Sequence, residues 1–131
     1  MIVVDASVLA NAVGDDGPDG EHARRELRDA GDLAAPDLVD VETTAVLRKR
    51  WQGKTMTALR FAEAIDDLED LTIDRYPTLR FMRRAYELRR TLTAYDAAYV
   101  ALAEVLGCQL LTADQRLSKA SGPRCPVRLL R

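Results

Sequence analysis

The chain has 131 residues, of which 47% are apolar and 31% charged, with a formal net charge of −2. That length supports one domain, 1–131, around one core, and the composition excludes a disordered chain; no apolar run approaches the length needed to cross a bilayer, so no membrane association is expected. The acidic balance and a pI of about 5.4 argue against a general nucleic-acid binder, although sixteen of the nineteen basic residues are arginine, the side chain suited to two-pronged phosphate contacts.

Ile2 to Asp5 reads as a short buried strand. The acid at position 5 and the absence of a basic lead-in do not fit a secretion signal, so a cytoplasmic protein with Cys108 and Cys125 reduced is expected. Ala6 to Val13 reads as a short helix and Gly14 to Gly20 as a loop. A charged helix from Glu21 to Ala30 carries the one histidine, His22, which reads as a solvated surface residue. Leu33 to Ala35 is a weak strand. Pro36 and Asp37 open a helix running to Gln52 with Gly53 behind it, and another helix spans Thr55 to Asp70. Leu71 to Tyr76 is a strand candidate, and Leu79 to Leu92 a helix. Thr93 caps a further helix that ends at Leu106 before Gly107. Gln109 to Thr112 reads as a strand, Asp114 to Ala120 as a short helix and Val127 to Leu130 as a final strand. Short apolar strands alternating with helices predict an α/β fold, a parallel sheet covered on both faces.

Four acids stand where solvated carboxylates do not belong. Asp5 closes an apolar run, and Asp114 follows Leu110-Leu111-Thr112-Ala113. Each precedes a helix, so each reads both as an N-cap and as a ligand-binding residue at the carboxyl end of a strand. Asp96 has capping-box spacing from Thr93, but its neighbours from Ala94 to Ala103 are almost all apolar, which turns it toward the interior or a cleft. Glu42 falls at helical spacing within the face made by Leu38, Val41, Ala45 and Val46, opposite Asp37, Asp40, Thr44 and Arg48. A functional pocket or a buried ion pair accounts for such a glutamate. If the fold gathers the four, carboxylates about 4 Å apart repel by roughly 4 kcal/mol per pair at an effective dielectric near ~20, and a divalent cation relieves that strain. The pattern points to metal-dependent chemistry on phosphates. No histidine pair or Cys–His pair offers a rival catalytic set. Ser7 stands where an aspartyl-phosphate enzyme of the haloacid-dehalogenase kind would want a second Asp.

The same residues carry a resemblance. Val4-Asp5-Ala6-Ser7-Val8-Leu9, then Glu42, then Thr93-Ala94-Tyr95-Asp96-Ala97, then Leu111-Thr112-Ala113-Asp114-Gln115-Arg116 follow, in order, the motifs of PIN-domain nucleases. Over essentially its whole length the chain resembles the VapC-like toxins of VapBC toxin–antitoxin pairs. The resemblance implies a PIN-like three-layer sandwich with a central parallel sheet, and an endoribonuclease dependent on Mg²⁺ or Mn²⁺. By position, Asp5, Asp96 and Asp114 would hold metal directly or through water, and Glu42 would complete the acidic pocket. Ser7 and Thr112 would support the acids by hydrogen bonds, with local capping as the competing role. Asn11 and Arg116 would contact substrate or phosphate. The implied partners are RNA, a VapB-like antitoxin peptide lying over the active site with a basic side chain among the acids, and a second copy of the chain. Leu59, Ala62, Ile65 and Leu68 form a helical stripe open to either an interface or plain core packing. A catalytically silent binding module on the same fold is the alternative, and the complete acid set opposes it.

Overall fold

β1 (Ile2–Val4) is the middle strand of a five-stranded parallel sheet, and all three of its residues are buried. β2 (Leu33–Pro36) and β3 (Asp74–Tyr76) extend the sheet to one side, β4 (Leu110–Thr112) and β5 (Val127–Leu129) to the other, in the order β3-β2-β1-β4-β5. Every pairing is parallel, with Ile2 beside Leu33 and Val4 beside Leu111. This computed structural model describes residues 1–131. Apart from Pro36 and Thr112 at their carboxyl ends, the central strands are short runs of Ile, Val, Leu and Ala because both of their faces are covered.

The helices are α1 (Ala6–Gly14), α2 (Pro18–Ala30), α3 (Val39–Gln52), α4 (Ala58–Asp70), α5 (Met82–Glu87), α6 (Ala94–Leu106) and α7 (Gln115–Lys119), with a 3₁₀ turn at Thr78–Phe81. The first four pack on one another, whereas α6 lies across β1, β2 and β4 with α5 beside it. Right-handed crossovers place these two groups on opposite faces of the sheet. The main core joins both layers through Val3, Val8, Leu9, Tyr99, Leu102 and Leu110. Gly107 ends α6 in the left-handed region, at φ 66°, and turns the chain back toward β4. No helix is long and apolar enough to cross a membrane.

The chain leaves β1 toward β2 and β3, then returns to the other side of β1 for β4 and β5. The strand order therefore reverses between β1 and β4, and a crevice opens outside the carboxyl ends of that pair. Asp5 and Asp114 lie just beyond those ends.

Several boundaries differ from the sequence expectation. α2 begins at Pro18 rather than Glu21, since proline is pre-set for the first helical position. Pro36 belongs to β2, and α3 starts only at Val39. The strand expected from Leu71 shrinks to Asp74–Tyr76. The helix expected from Leu79 to Leu92 is divided: the 3₁₀ turn leads into one short α-helix, and turns follow. There the N–H groups of Arg89 and Thr91 bond three residues back, to Tyr86 and Leu88, while the Thr91 hydroxyl donates to the Ser121 carbonyl at 2.8 Å. Contacts distant in sequence thus override a pattern that is locally helical. In the α4 stripe Leu68 is buried and Ile65 partly so, but Leu59 and Ala62 face outward.

Candidate active site

Asp5 is both a cap and a member of the crevice. Its Oδ1 accepts from the Ser7 and Val8 N–H groups at 3.0 and 3.3 Å and from the Ser7 hydroxyl at 2.5 Å. Its Oδ2 accepts from the Thr112 hydroxyl. The residue is only 6% exposed. Burial pushes its pKa up, the Ser7 and Thr112 hydroxyls and the Val8 N–H pull it back, and the charge of Asp96 raises it further. Ser7 and Thr112 each serve two loops. The Ala113 N–H donates to Ser7 Oγ at 3.0 Å, and the Asp114 N–H donates to Thr112 Oγ1 at 3.0 Å. The two hydroxyls stitch the ends of β1 and β4 together, so the expectation that they stand behind the acids and the capping role meet in the same atoms.

Asp114 caps α7, accepting from the Arg116 N–H at 2.9 Å. Asp96 lies in the first turn of α6, where the Thr93 hydroxyl caps its backbone N–H at 3.1 Å and leaves the carboxylate to the crevice. Its pKa is raised, first by burial and then by the charge of Asp114, with Thr93 and Arg116 opposing. Glu42 reaches in from α3, and its Oε1 accepts from the Tyr99 hydroxyl at 2.7 Å. Burial raises the Glu42 pKa, the Tyr99 bond lowers it, and the charges of Asp96 and Asp5 raise it. Asp5, Glu42, Asp96 and Asp114 line a single cavity of about 550 Å³.

The face of α3 that carries Glu42 is not a core face. Val39, Thr43 and Leu47 point into the protein, while Val41 is 73% exposed and Ala45 is also exposed. Leu38, Val41, Ala45 and Val46 therefore do not surround Glu42 with buried packing; Val41, Ala45 and Val46 form a greasy wall of the cavity. No ion pair holds Glu42, and its partner is Tyr99.

Asn11 and Arg116 are not part of the cavity wall, although Arg116 bonds Asp114 beside it. Asn11 does not line this cavity; its Oδ1 accepts from Arg50 at 2.7 Å in a neighbouring polar cleft with Asp15, Asp16 and Asp19. Arg116 is 91% exposed, bonds Asp114 at 3.3 Å and is absent from the cavity wall. Conversely, Lys49, Tyr95 and Tyr99 line the cavity without having been singled out. The signal was present: Lys49 lies two helical turns beyond Glu42, and Tyr99 one turn beyond Asp96.

The donor set can be tested against a metal. No three His, Cys, Asp or Glu side chains are grouped closely enough to coordinate one ion by themselves. A closed site for a dehydrated ion does not fit, whereas an all-carboxylate ring in an open cavity fits a hard cation that keeps several waters. Burial is the main reason the pKa values of Asp5, Glu42 and Asp96 are raised. Neighbouring carboxylates add to it, Asp96 for Asp5, Asp96 and Asp5 for Glu42, and Asp114 for Asp96; a cation would relieve both the buried charge and the like-charge share.

A family model described as PIN domain matches residues 2–123. Ribonuclease VapC9 of Mycobacterium tuberculosis is 42% identical over 127 residues, covering 97% of this chain and 96% of the relative. Ribonuclease VapC1 of the same organism is 35% identical over 130 residues, covering 98% and 97%. Among solved structures, a protein of Pyrobaculum aerophilum superposes with a TM-score of 0.69 at 24% identity, over 96% of this chain and 81% of its own. VapC20 of M. tuberculosis, described as a toxin that cleaves the sarcin–ricin loop, superposes with a TM-score of 0.68 at 20% identity, over 90% and 93%. The two solved structures bear on the fold alone.

Proposed function

This chain belongs to the VapC ribonucleases of the PIN-domain family, and from that premise we propose that it is the toxin of a toxin–antitoxin pair, an endoribonuclease that hydrolyses RNA phosphodiester bonds with Mg²⁺ or Mn²⁺ at the acid cavity. One observation carries the site assignment: four acids from four separate segments line one cavity at the reversal point of the sheet. Asp5, Asp96 and Asp114 are assigned to the cation, directly or through water, and Glu42 to the proton. A bound divalent ion supplies a water of lowered pKa and stabilises charge on the phosphate oxygens.

The remaining chemistry belongs to the chain. Ser7 and Thr112 fix the orientation of Asp5. Tyr99 holds Oε1 of Glu42, which leaves Oε2 to accept a proton from the attacking water. The raised pKa of Glu42 moves it closer to neutrality, where a general base works best. Lys49, a cation on the cavity wall, offers a contact for the phosphate. An antitoxin segment with a basic side chain would neutralise the same acids, and the outward-facing Leu59 and Ala62 on α4 are offered as part of a homodimer contact.

Cleavage of RNA by the purified protein should require Mg²⁺ or Mn²⁺ and stop in EDTA. Undiminished cleavage in EDTA would reject the metal mechanism. No cleavage with either ion, across structured and single-stranded RNAs, would favour the catalytically silent module. A co-expressed antitoxin should suppress cleavage, and light scattering should report a dimer mass.

A further inference from the structure

The arginines between Thr78 and Leu92 are arranged unlike the others. That stretch holds five arginines against one glutamate, in a chain whose net charge is −2. Arg84 serves the fold, bonded to Glu104 at 2.8 Å and to Glu87 at 3.2 Å. Arg80, Arg83, Arg89 and Arg90 are exposed and join no ion pair. The arginines of other segments are mostly engaged. Arg24 donates to the carbonyls of Ala12 and Asp15, and Arg50 to Ala10 and Asn11. Arg25, Arg60, Arg75, Arg116 and Arg128 each meet a carboxylate. Arg89 also donates to the Tyr86 carbonyl at 2.9 Å, within its own turn, but none of the four guanidinium groups meets a carboxylate of the chain, whereas an external polyanion would pair with all of them.

Two further observations identify the anion. The Arg89 guanidinium lies 4.1 Å from the centroid of the Tyr86 ring, and that ring is itself 58% exposed. An exposed aromatic backed by arginine is a platform on which unpaired bases stack. The stretch also runs directly into Thr93, the cap of α6, and Arg90 precedes Asp96 by six residues. Even a fully extended link keeps their Cα atoms within about 22 Å, a reach of a few nucleotides.

We infer that the 3₁₀ turn, α5 and the turn after it form an RNA-docking patch, distinct from the acid cavity, that grips substrate phosphates beyond the cut site. The inference rests on the ribonuclease reading above. Arginine's planar fork suits phosphate oxygens, and Tyr86 favours a strand with unstacked bases over a regular duplex.

The test compares the parent with a variant carrying R80Q, R83Q, R89Q and R90Q, in EDTA so that RNA is bound but not cut. Binding of a labelled RNA hairpin is followed as salt rises from about 50 to 200 mM, the range over which counterion release is most visible. Losing four phosphate contacts should flatten the log–log salt slope by about 3, at roughly 0.7–0.9 per contact. With metal present, KM for the long RNA should rise at least tenfold, while turnover of an oligonucleotide just long enough to span the cavity stays unchanged. An R80K, R83K, R89K and R90K variant should retain most of the binding, which separates charge from folding damage. Equal affinity and slope in parent and Gln variant, with the parent still cleaving RNA, overturns the patch alone. Equal losses on long and short substrates also overturn it. If polyglutamate competes as tightly as RNA of equal charge, the patch serves an acidic protein and the RNA assignment fails. A parent that neither binds nor cleaves any RNA overturns both readings.

Discussion

Asp5 and Glu42 face one cavity from two kinds of wall. Asp5 sits at the mouth of the β1–β4 pair, nearly sealed from water, with four donors on its two oxygens. Glu42 stands on the open side of α3, beside exposed Val41, and is held by the Tyr99 hydroxyl. One acid is built into the fold and the other is presented by it. Loss of Asp5 should therefore damage structure and chemistry together, whereas Glu42 and Asp96 should affect chemistry while the fold gains.

The largest effect is expected at Asp5. Asp5→Ala removes a helix cap, worth about 0.5–2 kcal/mol, and strips the Ser7 and Thr112 hydroxyls of their acceptor, a further cost of about 1–3 kcal/mol. Denaturant melts should show the sum, and RNA cleavage should fall by more than about 10²-fold, as when one electrostatic contact to the transition state is lost. A variant that keeps parental stability would break the contrast.

Asp96→Asn and Glu42→Gln should each cut cleavage by a similar factor, yet raise the melting temperature in EDTA by relieving like-charge repulsion. The pH dependence carries the same sign. Both carboxyls are raised in the folded protein, so between the unfolded and folded pKa values the folded state holds more protons than the unfolded chain. Metal-free stability should therefore fall as pH rises from the ordinary carboxylate range through the raised values, and recover on acidification within that window. The Asp96→Asn and Glu42→Gln double variant should show a flatter profile. An unchanged profile would mean that neither carboxyl is raised by folding, whether by burial or by its acidic neighbours.

Tyr99→Phe sharpens the comparison at smaller scale. The ring is 1% exposed, so phenylalanine keeps the packing and removes only the bond to Glu42. We expect a loss of about 1 kcal/mol in stability and a fall in kcat of roughly tenfold, the 1.36 kcal/mol equivalent of a mis-set base, with KM unchanged. A change in KM alone would show that Tyr99 acts on substrate binding instead.

The smallest effect belongs to Thr43, the neighbour of Glu42 on the inward face of α3. Its hydroxyl is fully buried and has no hydrogen-bond partner. Thr43→Val should raise stability by about 1 kcal/mol, because an unpaired buried hydroxyl carries a desolvation cost. Cleavage should not change, and a drop in cleavage would mean that the inward face of α3 also sets the cavity.

Local patterns in the sequence were enough to find β1, β4, α6 and the four acids, since an acid at the end of an apolar run is anomalous whatever surrounds it. The division of the 79–92 segment was not visible there, because Thr91 and its neighbours answer to Ser121, thirty residues away. Asn11, a candidate through the family resemblance, is turned by its helix toward Arg50 and away from the acid cavity, a placement that only the packing of α1 against α3 sets.

The sequence by itself determined the alternation of buried strands and helices, and which carboxylates could not be ordinary surface charges. Hydrophobic period and capping chemistry act over a few residues, so both can be read locally. Only the tertiary structure decided that β4 lies beside β1, that the apolar stripe of α3 lines a cavity instead of the core, and that Tyr99 reaches Glu42 across 57 residues of chain. Those facts depend on how whole layers pack, and no short window of sequence contains both partners of such a contact.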